Sequence, residues 1–356
     1  MRAFMISEAN KGVVIELPRP APGQDEVLIR VRYTGICGSD LHSYEGRHIR
    51  RMPPLVPGHE TSGVIAAVGP AVRALREGDR VCVLPERGCG ACAACRKGWT
   101  NLCPDKSLLG TAAWPGAFAE YITAPASQVL ILPDSLPLDL GALAEPAAVA
   151  VHALRQGRFT PGESVLVFGA GGIGALIIAL ARRSGAGRII ACDLKDFNLA
   201  RALELGADTV LNSRGLDAGG IVERCPDGLP VDAVFVAASH HDLINQAFAL
   251  ASPKGKIVLV GQFNRPGVID VDKARLKEQT IYSSFTYVRD DFEEAVRLLA
   301  EDPASFAPVI TGRITLDETD ACLRGMIRGD LDTVKTVIAM DEGSDGSQGE
   351  ANVVQR

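Results

Sequence analysis

The sequence predicts an α/β protein of two domains, in which a mostly β domain is combined with a doubly wound parallel sheet. Three observations support this prediction. The chain has 356 residues, and a chain of that length usually folds as more than one domain. Hydrophobic residues make up 47% of it and aromatic residues only 5%, which suits a tightly packed α/β core. From residue 164 onward, short apolar runs alternate with helical patterns, as they do in parallel sheets.

The first part of the chain has the pattern of short strands joined by turns. Residues 1 to about 35 alternate apolar runs with Pro and Gly, and residues 62–69 and 79–84 continue this pattern. It predicts an irregular, mostly antiparallel barrel. After about residue 282 the pattern becomes mixed again, with an amphipathic helix at 290–300 and a last strand at 333–338. Residues 341–356 are rich in Gly, Ser, Gln and acidic residues, which predicts a disordered tail.

Charge and hydropathy argue against two classes of partner. The formal net charge is −6 and the isoelectric point is about 5.6, so a basic surface for nucleic acid is not expected. The first 17 residues lack the layout of a signal peptide, and no apolar run has the length and composition of a membrane span. We therefore expect no nucleic-acid partner and no membrane partner, and the default expectation is a cytoplasmic location.

A glycine-rich loop follows the first strand of the parallel-sheet region. The apolar strand at 165–168 leads into a GxGxxG motif, and a helical run from 175 to 183 follows. Glycines at these places allow a tight turn and the close approach of a pyrophosphate, which the helix N-terminus favours. An acidic residue about twenty positions further on would accept hydrogen bonds from ribose hydroxyls and favours NAD over NADP, although Lys195 weakens this preference. The predicted cofactor-binding residues are Gly169, Gly171, Gly172, Ile173, Gly174 and Asp193.

Four cysteines lie within one short segment at the spacing CxxCxxCx7C. Four thiolates can surround a zinc ion tetrahedrally and leave no position for a reactant, so this pattern predicts a structural zinc site. An iron–sulfur cluster also uses four cysteines and is the chemical alternative. The predicted ligands are Cys89, Cys92, Cys95 and Cys103.

A second group of metal-binding residue types begins between residues 33 and 60. Cys37 and His59, together with Glu60 or Glu145, could bind one metal ion and leave a position open for substrate or water. Such an open position distinguishes a catalytic zinc site from a closed one. Cys37 and His59 are far apart in sequence, so only the fold could bring them together. His152 lies in an apolar helical run, and we expect it to pack in the core.

Together these motifs resemble the zinc-dependent medium-chain dehydrogenases, and within them the polyol (sorbitol-like) and threonine dehydrogenase branch. The resemblance extends from residue 1 to about residue 340. With the change in pattern along the chain, it implies a GroES-like, mostly β catalytic domain (residues 1–152 and 283–340) and a Rossmann cofactor domain (residues 153–282). It also suggests a homodimer or homotetramer. The motifs are Gly-Ile-Cys37-Gly-Ser39-Asp40-Leu-His42, Pro-Gly-His59-Glu60, the four cysteines, Glu145-Pro146 and the glycine-rich loop.

The resemblance implies a ligand set for the catalytic metal. Cys37 and His59 would bind zinc, and Glu60 would be a ligand or a close neighbour of one. Glu145 would be the alternate or fourth ligand. The expected cofactors are therefore two zinc ions per chain, one catalytic and one structural, and NAD.

The resemblance also implies a path for the proton that leaves a substrate hydroxyl. Ser39 would take this proton, and His42 would pass it toward solvent. A hydroxyl next to an imidazole suits that role, because both groups can accept and donate a proton. For Asp40 we expect support of the site rather than direct chemistry.

Two positions depart from the sorbitol-type pattern. Ser43 stands where an aromatic residue is common, and Thr286 stands where an arginine is common between two aromatic residues. The leading hypothesis is therefore the reversible transfer of a hydride to NAD from a secondary hydroxyl of a polyol, cyclitol or sugar derivative, with sorbitol only one candidate. The alternatives are a threonine-type amino alcohol dehydrogenase and a noncatalytic nucleotide-binding protein. The joint presence of the ligand and proton-path residues argues against the noncatalytic alternative.

Overall fold

The computed structural model describes residues 1–225, 228–263 and 266–340. The tail predicted at residues 341–356 lies outside the described residues. The described chain contains two large sheets, one of seven strands and one of six. Its helices are all too short or too polar to cross a membrane.

The first part of the chain consists mainly of strands joined by short turns, as its sequence pattern predicted. Its helices are α1 (Gly38–Tyr44), α2 (Ala93–Arg96), α3 (Leu138–Gly141) and α4 (Ala144–Gln156), with 3-10 turns at Thr100–Leu102 and Ala126–Gln128. Its strands are β1 (Arg2–Glu8), β2 (Lys11–Glu16), β3 (Glu26–Gly35), β4 (Glu60–Val68), β5 (Arg80–Val83), β6 (Glu86–Arg87), β7 (Ser107–Leu108), β8 (Tyr121–Pro125) and β9 (Val129–Ile131).

The middle of the chain alternates strands and helices. The helix after the glycine-rich loop begins at Gly172, three residues earlier than predicted, so the end of the motif forms its first turn. The strands are β10 (Ser164–Phe168), β11 (Arg188–Asp193), β12 (Thr209–Asn212), β13 (Val231–Val236), β14 (Ala251–Leu259) and β15 (Thr280–Ser283). The helices are α5 (Gly172–Arg183), α6 (Asp196–Glu204), α7 (Ala218–Arg224), α8 (Asp242–Leu250) and α9 (Val271–Leu276).

These six strands form one parallel sheet in the order β12-β11-β10-β13-β14-β15. Both faces of its central strands are covered, which explains their continuous apolar sequence. In β10, Val165 and Val167 pack in the cluster that contains α4 and α5, whereas Leu166 and Phe168 pack in the cluster that contains α7 and α8. The sheet is therefore doubly wound, and the predicted fold class is confirmed.

The last part of the chain returns to the first sheet. It contains α10 (Arg289–Glu301), β16 (Ile310–Ile314), α11 (Thr319–Arg328) and β17 (Lys335–Ala339), with 3-10 turns at Pro303–Ser305 and Ala307–Val309. The seven-stranded sheet has the order β16-β17-β3-β4-β5-β9, and β8 also pairs with β3. Because β17 lies antiparallel to the end of β3, residues from the first and last parts of the described chain lie side by side in this sheet.

Helices α4 and α10 are joined by buried polar contacts. Nδ1 of His152 in α4 lies 2.7 Å from Oδ2 of Asp291 in α10, and Arg155 pairs with the same carboxylate. Asp291 is fully buried and also accepts a hydrogen bond from the amide of Val288, which caps α10. We call His152, Arg155 and Asp291 the α4–α10 clasp. His152 is buried, as predicted, but it makes a specific polar contact as well.

Candidate active site

The antiparallel pairing of β3 and β4 brings the distant metal-binding residues together. β3 ends at Gly35, and Gly35 is the register partner of Glu60, the first residue of β4. Cys37 lies two residues after the end of β3 as the N-cap of α1, and His59 directly precedes β4. A side chain at position 35 would place its Cβ 2.0 Å from the Glu60 carboxylate. Glycine is therefore required there for Glu60 to turn toward Cys37.

Cys37, His59 and Glu60 form a compact group of potential metal ligands. Their sulfur, nitrogen and oxygen atoms lie within 4.8 Å of one another, and His59 and Glu60 are buried. A thiolate, an imidazole and a carboxylate are the ligand types that zinc binds in catalytic sites. The residues present thus fit a zinc ion with an open position.

Lys335 holds the Glu60 carboxylate in place. Its Nζ lies 2.7 Å and 2.8 Å from the two carboxylate oxygens and also donates to the carbonyl of Ile36 at 3.0 Å. Burial by itself would lower the pKa of Lys335, but the charges of Glu60 and Cys37 outweigh burial and raise it. The sequence analysis did not identify Lys335. The available signal was a lysine inside a strand predicted to be apolar.

Asp40 and Arg51 contact the other side of His59. Nδ1 of His59 lies 3.2 Å from Nη1 of Arg51 and 3.6 Å from Oδ1 of Asp40. Asp40 is fully buried; its Oδ2 accepts from the Cys37 amide, and its Oδ1 has no hydrogen-bond partner in the described structure. Because a guanidinium only donates, Nδ1 accepts in its contact with Arg51, and the Asp40 carboxylate balances the charge of that guanidinium. Asp40 therefore contacts both candidate ligands, and its supporting role stays a prediction.

Ser39 and His42 lie on α1, which starts at Cys37. Residues three apart share one face of a helix, so both side chains can line one path. In the described structure no hydrogen bond joins these two side chains. Instead, Nη1 of the buried Arg51 donates to Ser39 Oγ at 3.0 Å, and Nη2 donates to the carbonyl of Leu109 at 3.1 Å. Arg51 was missed by the sequence analysis, because nothing in the surrounding residues distinguishes it from a surface arginine.

Glu145 lies at the start of α4 and takes a different partner from Glu60. Its Oε1 accepts a hydrogen bond from the hydroxyl of Tyr287 at 2.8 Å. It does not belong to the compact Cys37 group within the described residues. Burial is the main cause that raises the pKa of Glu145 to about 7; the nearby His59 opposes this rise, and the Glu60 carboxylate adds to it. The two glutamates are therefore held apart, each by its own partner.

The glycine-rich loop has the geometry of a phosphate-binding turn. Gly169 has a φ of 89°, and a Cβ on Gly174 would lie 1.7 Å from the Gly169 carbonyl oxygen. A Cβ on Gly171 would meet nothing within 4 Å, so the space beside the N-cap of α5 is open. Asp193 ends β11, and its Oδ2 accepts from the amide of Ala170 at 2.7 Å. These contacts fit a dinucleotide pyrophosphate at the start of α5.

The four-cysteine lobe, residues 89–103, forms a second compact group. Its four sulfur atoms lie within 4.8 Å of one another. The amides of Cys89, Cys92 and Cys95 donate to neighbouring sulfur atoms at 3.3 to 3.4 Å. Hydrogen bonds from two backbone amides are the largest causes that lower the pKa of the Cys89 thiol to about 7. Such bonds stabilise thiolates, so this lobe fits a closed zinc site.

Comparison with known proteins agrees with this geometry. Residues 23–134 match the alcohol dehydrogenase GroES-like domain, and residues 172–301 match the zinc-binding dehydrogenases. The chain is 32% identical to sorbitol dehydrogenase of Bacillus subtilis (strain 168), over 95% of this chain and 97% of that protein. It is 35% identical to a probable D-xylulose reductase A of Aspergillus clavatus, over 90% and 92% of the two chains.

A solved structure gives the same result for the fold. A short chain alcohol dehydrogenase from E. coli CFT073, crystallised with NADH, superimposes with a TM-score of 0.88 at 30% identity, over 95% of this chain and 99% of that chain. The predicted family, reaction class and cofactor class are thereby confirmed. The chain belongs to the zinc-dependent medium-chain dehydrogenase family, in its polyol dehydrogenase branch, and is an oxidoreductase that acts on CH–OH groups.

Proposed function

We propose that this protein reversibly transfers a hydride to NAD from a secondary hydroxyl of a polyol, cyclitol or related sugar derivative. One observation carries the proposal: the metal-ligand group and the glycine-rich loop border the same cleft. A cavity of about 280 Å³ is lined by Cys37 and Glu60 on one side and by Gly172 and Ile173 on the other. A substrate hydroxyl and a nicotinamide can therefore meet there, at the carboxyl ends of the parallel strands.

Within this cleft, Cys37 and His59 would hold the catalytic zinc. Bound there, zinc would supply a Lewis acid that makes the substrate hydroxyl more acidic, and NAD would accept the hydride. The chain's own residues would handle the proton. Ser39 would accept it, with its hydroxyl oriented by Arg51, and His42 would pass it toward solvent.

The two glutamates would have different roles. Glu60 has both oxygens engaged by Lys335, so it could bind a metal only by sharing or losing these bonds. Glu145 shares only one oxygen with Tyr287 and has a pKa near 7 through burial, so a small change in its surroundings changes its charge. We propose Glu145 as the third protein ligand, beside Cys37 and His59, and Glu60 as the residue that couples the ligand set to Lys335.

We propose NAD as the preferred cofactor because Asp193 ends β11, beside the expected position of the adenosine ribose. Its carboxylate would repel a 2′-phosphate. The Nζ of Lys195 donates to the carbonyl of Leu331 at 3.0 Å, so this ammonium already has a partner within the chain.

We also propose a homo-oligomer and a reducing compartment, the cytoplasm. β15 is the last strand of the parallel sheet, and Ile281 on it and Phe285 beyond it are 43% and 56% exposed. An exposed apolar edge strand is a ready surface for pairing with a second copy. All nine cysteines are free thiols in the structure, as expected where disulfides are not formed.

The experiment that tests the function combines metal content with a substrate panel. We expect two zinc ions per chain and oxidation of neutral polyols or cyclitols with NAD, assayed on sorbitol, xylitol, myo-inositol, 2,3-butanediol and threonine. Each substrate is assayed with NAD and with NADP. Turnover of threonine alone would replace this proposal by the amino alcohol alternative. A zinc-loaded protein that binds NADH without oxidising any alcohol would support the noncatalytic alternative.

A further inference from the structure

We propose that Glu86 binds a substrate hydroxyl that lies away from the reacting carbon, and that it selects neutral polyols over substrates with an anionic group at that place. The inference rests on the proposed function and names a residue that would determine the substrate class. It arises from a polar cluster, Glu86, Lys106 and Thr286, that joins the base of the four-cysteine lobe to the segment before α10.

The base of the four-cysteine lobe carries Glu86. β6, which begins with Glu86, pairs with β7, and the lobe lies between these two short strands. Lys106 directly precedes β7. The lobe is fastened to the segment before α10, because the side-chain amide of Asn101 donates to the carbonyl of Phe285 at 2.8 Å. The closed metal site thereby fixes the position of Glu86 beside that segment.

One oxygen of Glu86 is fully used and the other is available. Oε2 accepts from Lys106 Nζ at 2.8 Å and from Thr286 Oγ1 at 3.2 Å. Neither contact uses Oε1, and no other hydrogen bond in the described part of the chain reaches it. The Glu86 side chain is 17% exposed, so Oε1 remains within reach of a small molecule.

Lys106 cannot take over as the binding group. Its side chain is only 6% exposed. Besides Glu86 it donates to the carbonyl of Asn101 at 3.0 Å, and its Nζ lies 4.8 Å from the centre of the Phe285 ring. An ammonium has three donors, and these three contacts engage them. The acceptor presented by this cluster is therefore the carboxylate.

The cluster is adjacent to Tyr287, a residue that contacts the proposed metal ligand Glu145. Thr286 precedes Tyr287, whose hydroxyl donates to Glu145. Burial is the main reason that the pKa of Tyr287 is raised well above its ordinary value, and the charges of Glu145 and Glu86 add to this effect. Thr286 has a φ of 47°, which is unfavourable for a β-branched residue. Backbone strain of this kind persists where the surrounding structure requires one orientation.

The chemistry of the cluster fits one class of substrate. An ionised carboxylate only accepts hydrogen bonds, and a polyol offers an O–H donor on every carbon. A phosphate or carboxylate at the same place would meet the charge of Glu86, while Lys106 has no donor free to compensate. A simple secondary alcohol has no second hydroxyl and would not use Glu86.

The test compares E86Q with wild type and with E77Q, a control at an exposed turn, all in the zinc-loaded full chain. The substrates are sorbitol, xylitol, sorbitol 6-phosphate and 2-propanol. We expect E86Q to raise KM for the neutral polyols about tenfold to a hundredfold, the loss expected when one charge-assisted hydrogen bond is removed. For 2-propanol we expect kcat and KM to change less than about twofold, and E77Q should behave as wild type. The preference for sorbitol over sorbitol 6-phosphate should fall about tenfold or more.

A binding measurement keeps the inference testable if turnover is absent. Sorbitol and xylitol are titrated calorimetrically into the NADH complexes of wild type and E86Q, where we expect polyol affinity to fall about tenfold or more in E86Q. Absence of turnover on every alcohol, with this difference in binding intact, would overturn the proposed function and uphold the role of Glu86. Two results would overturn the inference: equal polyol binding by both proteins, or an equal loss of 2-propanol and polyol activity in E86Q. Glu86 would then contribute to the folded structure but not to polyol recognition.

Discussion

The two candidate metal sites differ in where their ligands come from. In the four-cysteine lobe all four sulfur atoms belong to residues 89–103, and backbone amides of the same segment donate to them. In the Cys37 site the ligands come from the end of β3 and the start of β4, and charged side chains from three other places surround them. These side chains are Asp40 on α1, Arg51 in the following loop and Lys335 on the last strand.

This difference separates a closed site from an open one. Four ligands from one loop complete a tetrahedron by themselves, so the lobe needs no help from the rest of the fold. An open site leaves one position free, and its ligands must be oriented by neighbours that do not touch the metal. Substitution of a ligand should therefore have a different result in each site. In the open site we expect loss of catalysis, and in the four-cysteine lobe we expect loss of local stability.

The largest effect is expected for C37S. Removal of the thiolate should lower kcat by about a thousandfold or more, because Lewis-acid stabilisation is worth several kcal/mol. NADH binding, followed by fluorescence, should remain close to wild type, and the zinc content should fall from two ions per chain to one. C322A, at a buried cysteine outside both groups, is the control. Wild-type turnover in C37S would remove Cys37 from the ligand set.

A substitution in the four-cysteine lobe tests whether the closed site stabilises its own segment. C95S should destabilise residues 89–103 by on the order of 5 kcal/mol, since much of the folding energy of a small metal site comes from the metal. The lobe should then become sensitive to limited proteolysis. Because Glu86 and Asn101 join the lobe to residues 285 and 286, and Glu86 is proposed to bind the polyol, we expect KM for polyols to rise more than kcat falls. An intact lobe with one zinc ion fewer would show that the protein fold, not the metal, holds the loop.

Substitutions of Lys335 test whether a charged neighbour stabilises the open site. K335M should lower the free energy of unfolding by about 3–5 kcal/mol, because it leaves the buried Glu60 carboxylate unpaired. K335R keeps the charge and should lose much less. The double variant E60Q/K335M should recover most of the loss, as measured by denaturant unfolding. Equal losses in K335M and in the double variant would mean that the lysine stem contributes packing only.

The smallest effect is expected at the α4–α10 clasp, which joins the helix that carries Glu145 to the helix that begins two residues after Tyr287. Although burial opposes it, the bond from His152 and the Val288 amide lower the pKa of Asp291. A carboxyl with a lowered folded-state pKa stabilises the fold above its unfolded pKa, about 3.9, and loses this contribution as the pH falls through the folded value. D291N should therefore cost about 1–3 kcal/mol at pH 7, and the difference should shrink below about pH 4.

Thermal melts of wild type and D291N between pH 3 and 7 measure this dependence. D290N, at the exposed neighbour of Asp291, is the matched control and should melt as wild type at each pH. If the difference in melting temperature between wild type and D291N stays constant through this range, the clasp stabilises the fold through packing and not through the charge of Asp291.

Several features were determined by local sequence. The spacing of the four cysteines, the GxGxxG loop after an apolar strand, and the alternation of strands and helices each depend on residues close together in the chain. Local periodicity decides which side of an element is buried, so these predictions could be made without contacts. The predicted helix at 290–300 and the last strand at 333–338 agree with α10 and β17 to within two residues at each end.

The partners of Glu60 and Glu145 depend on contacts between parts of the chain that are distant in sequence. Lys335 reaches Glu60 because β17 pairs with β3, and Tyr287 reaches Glu145 because α10 packs on α4. No periodic pattern marks such pairs, since their sequence separations are 275 and 142 residues. The sequence thus specified the metal and cofactor classes through short motifs. The fold decided which charge stands beside each ligand, because charges interact through space and not along the chain.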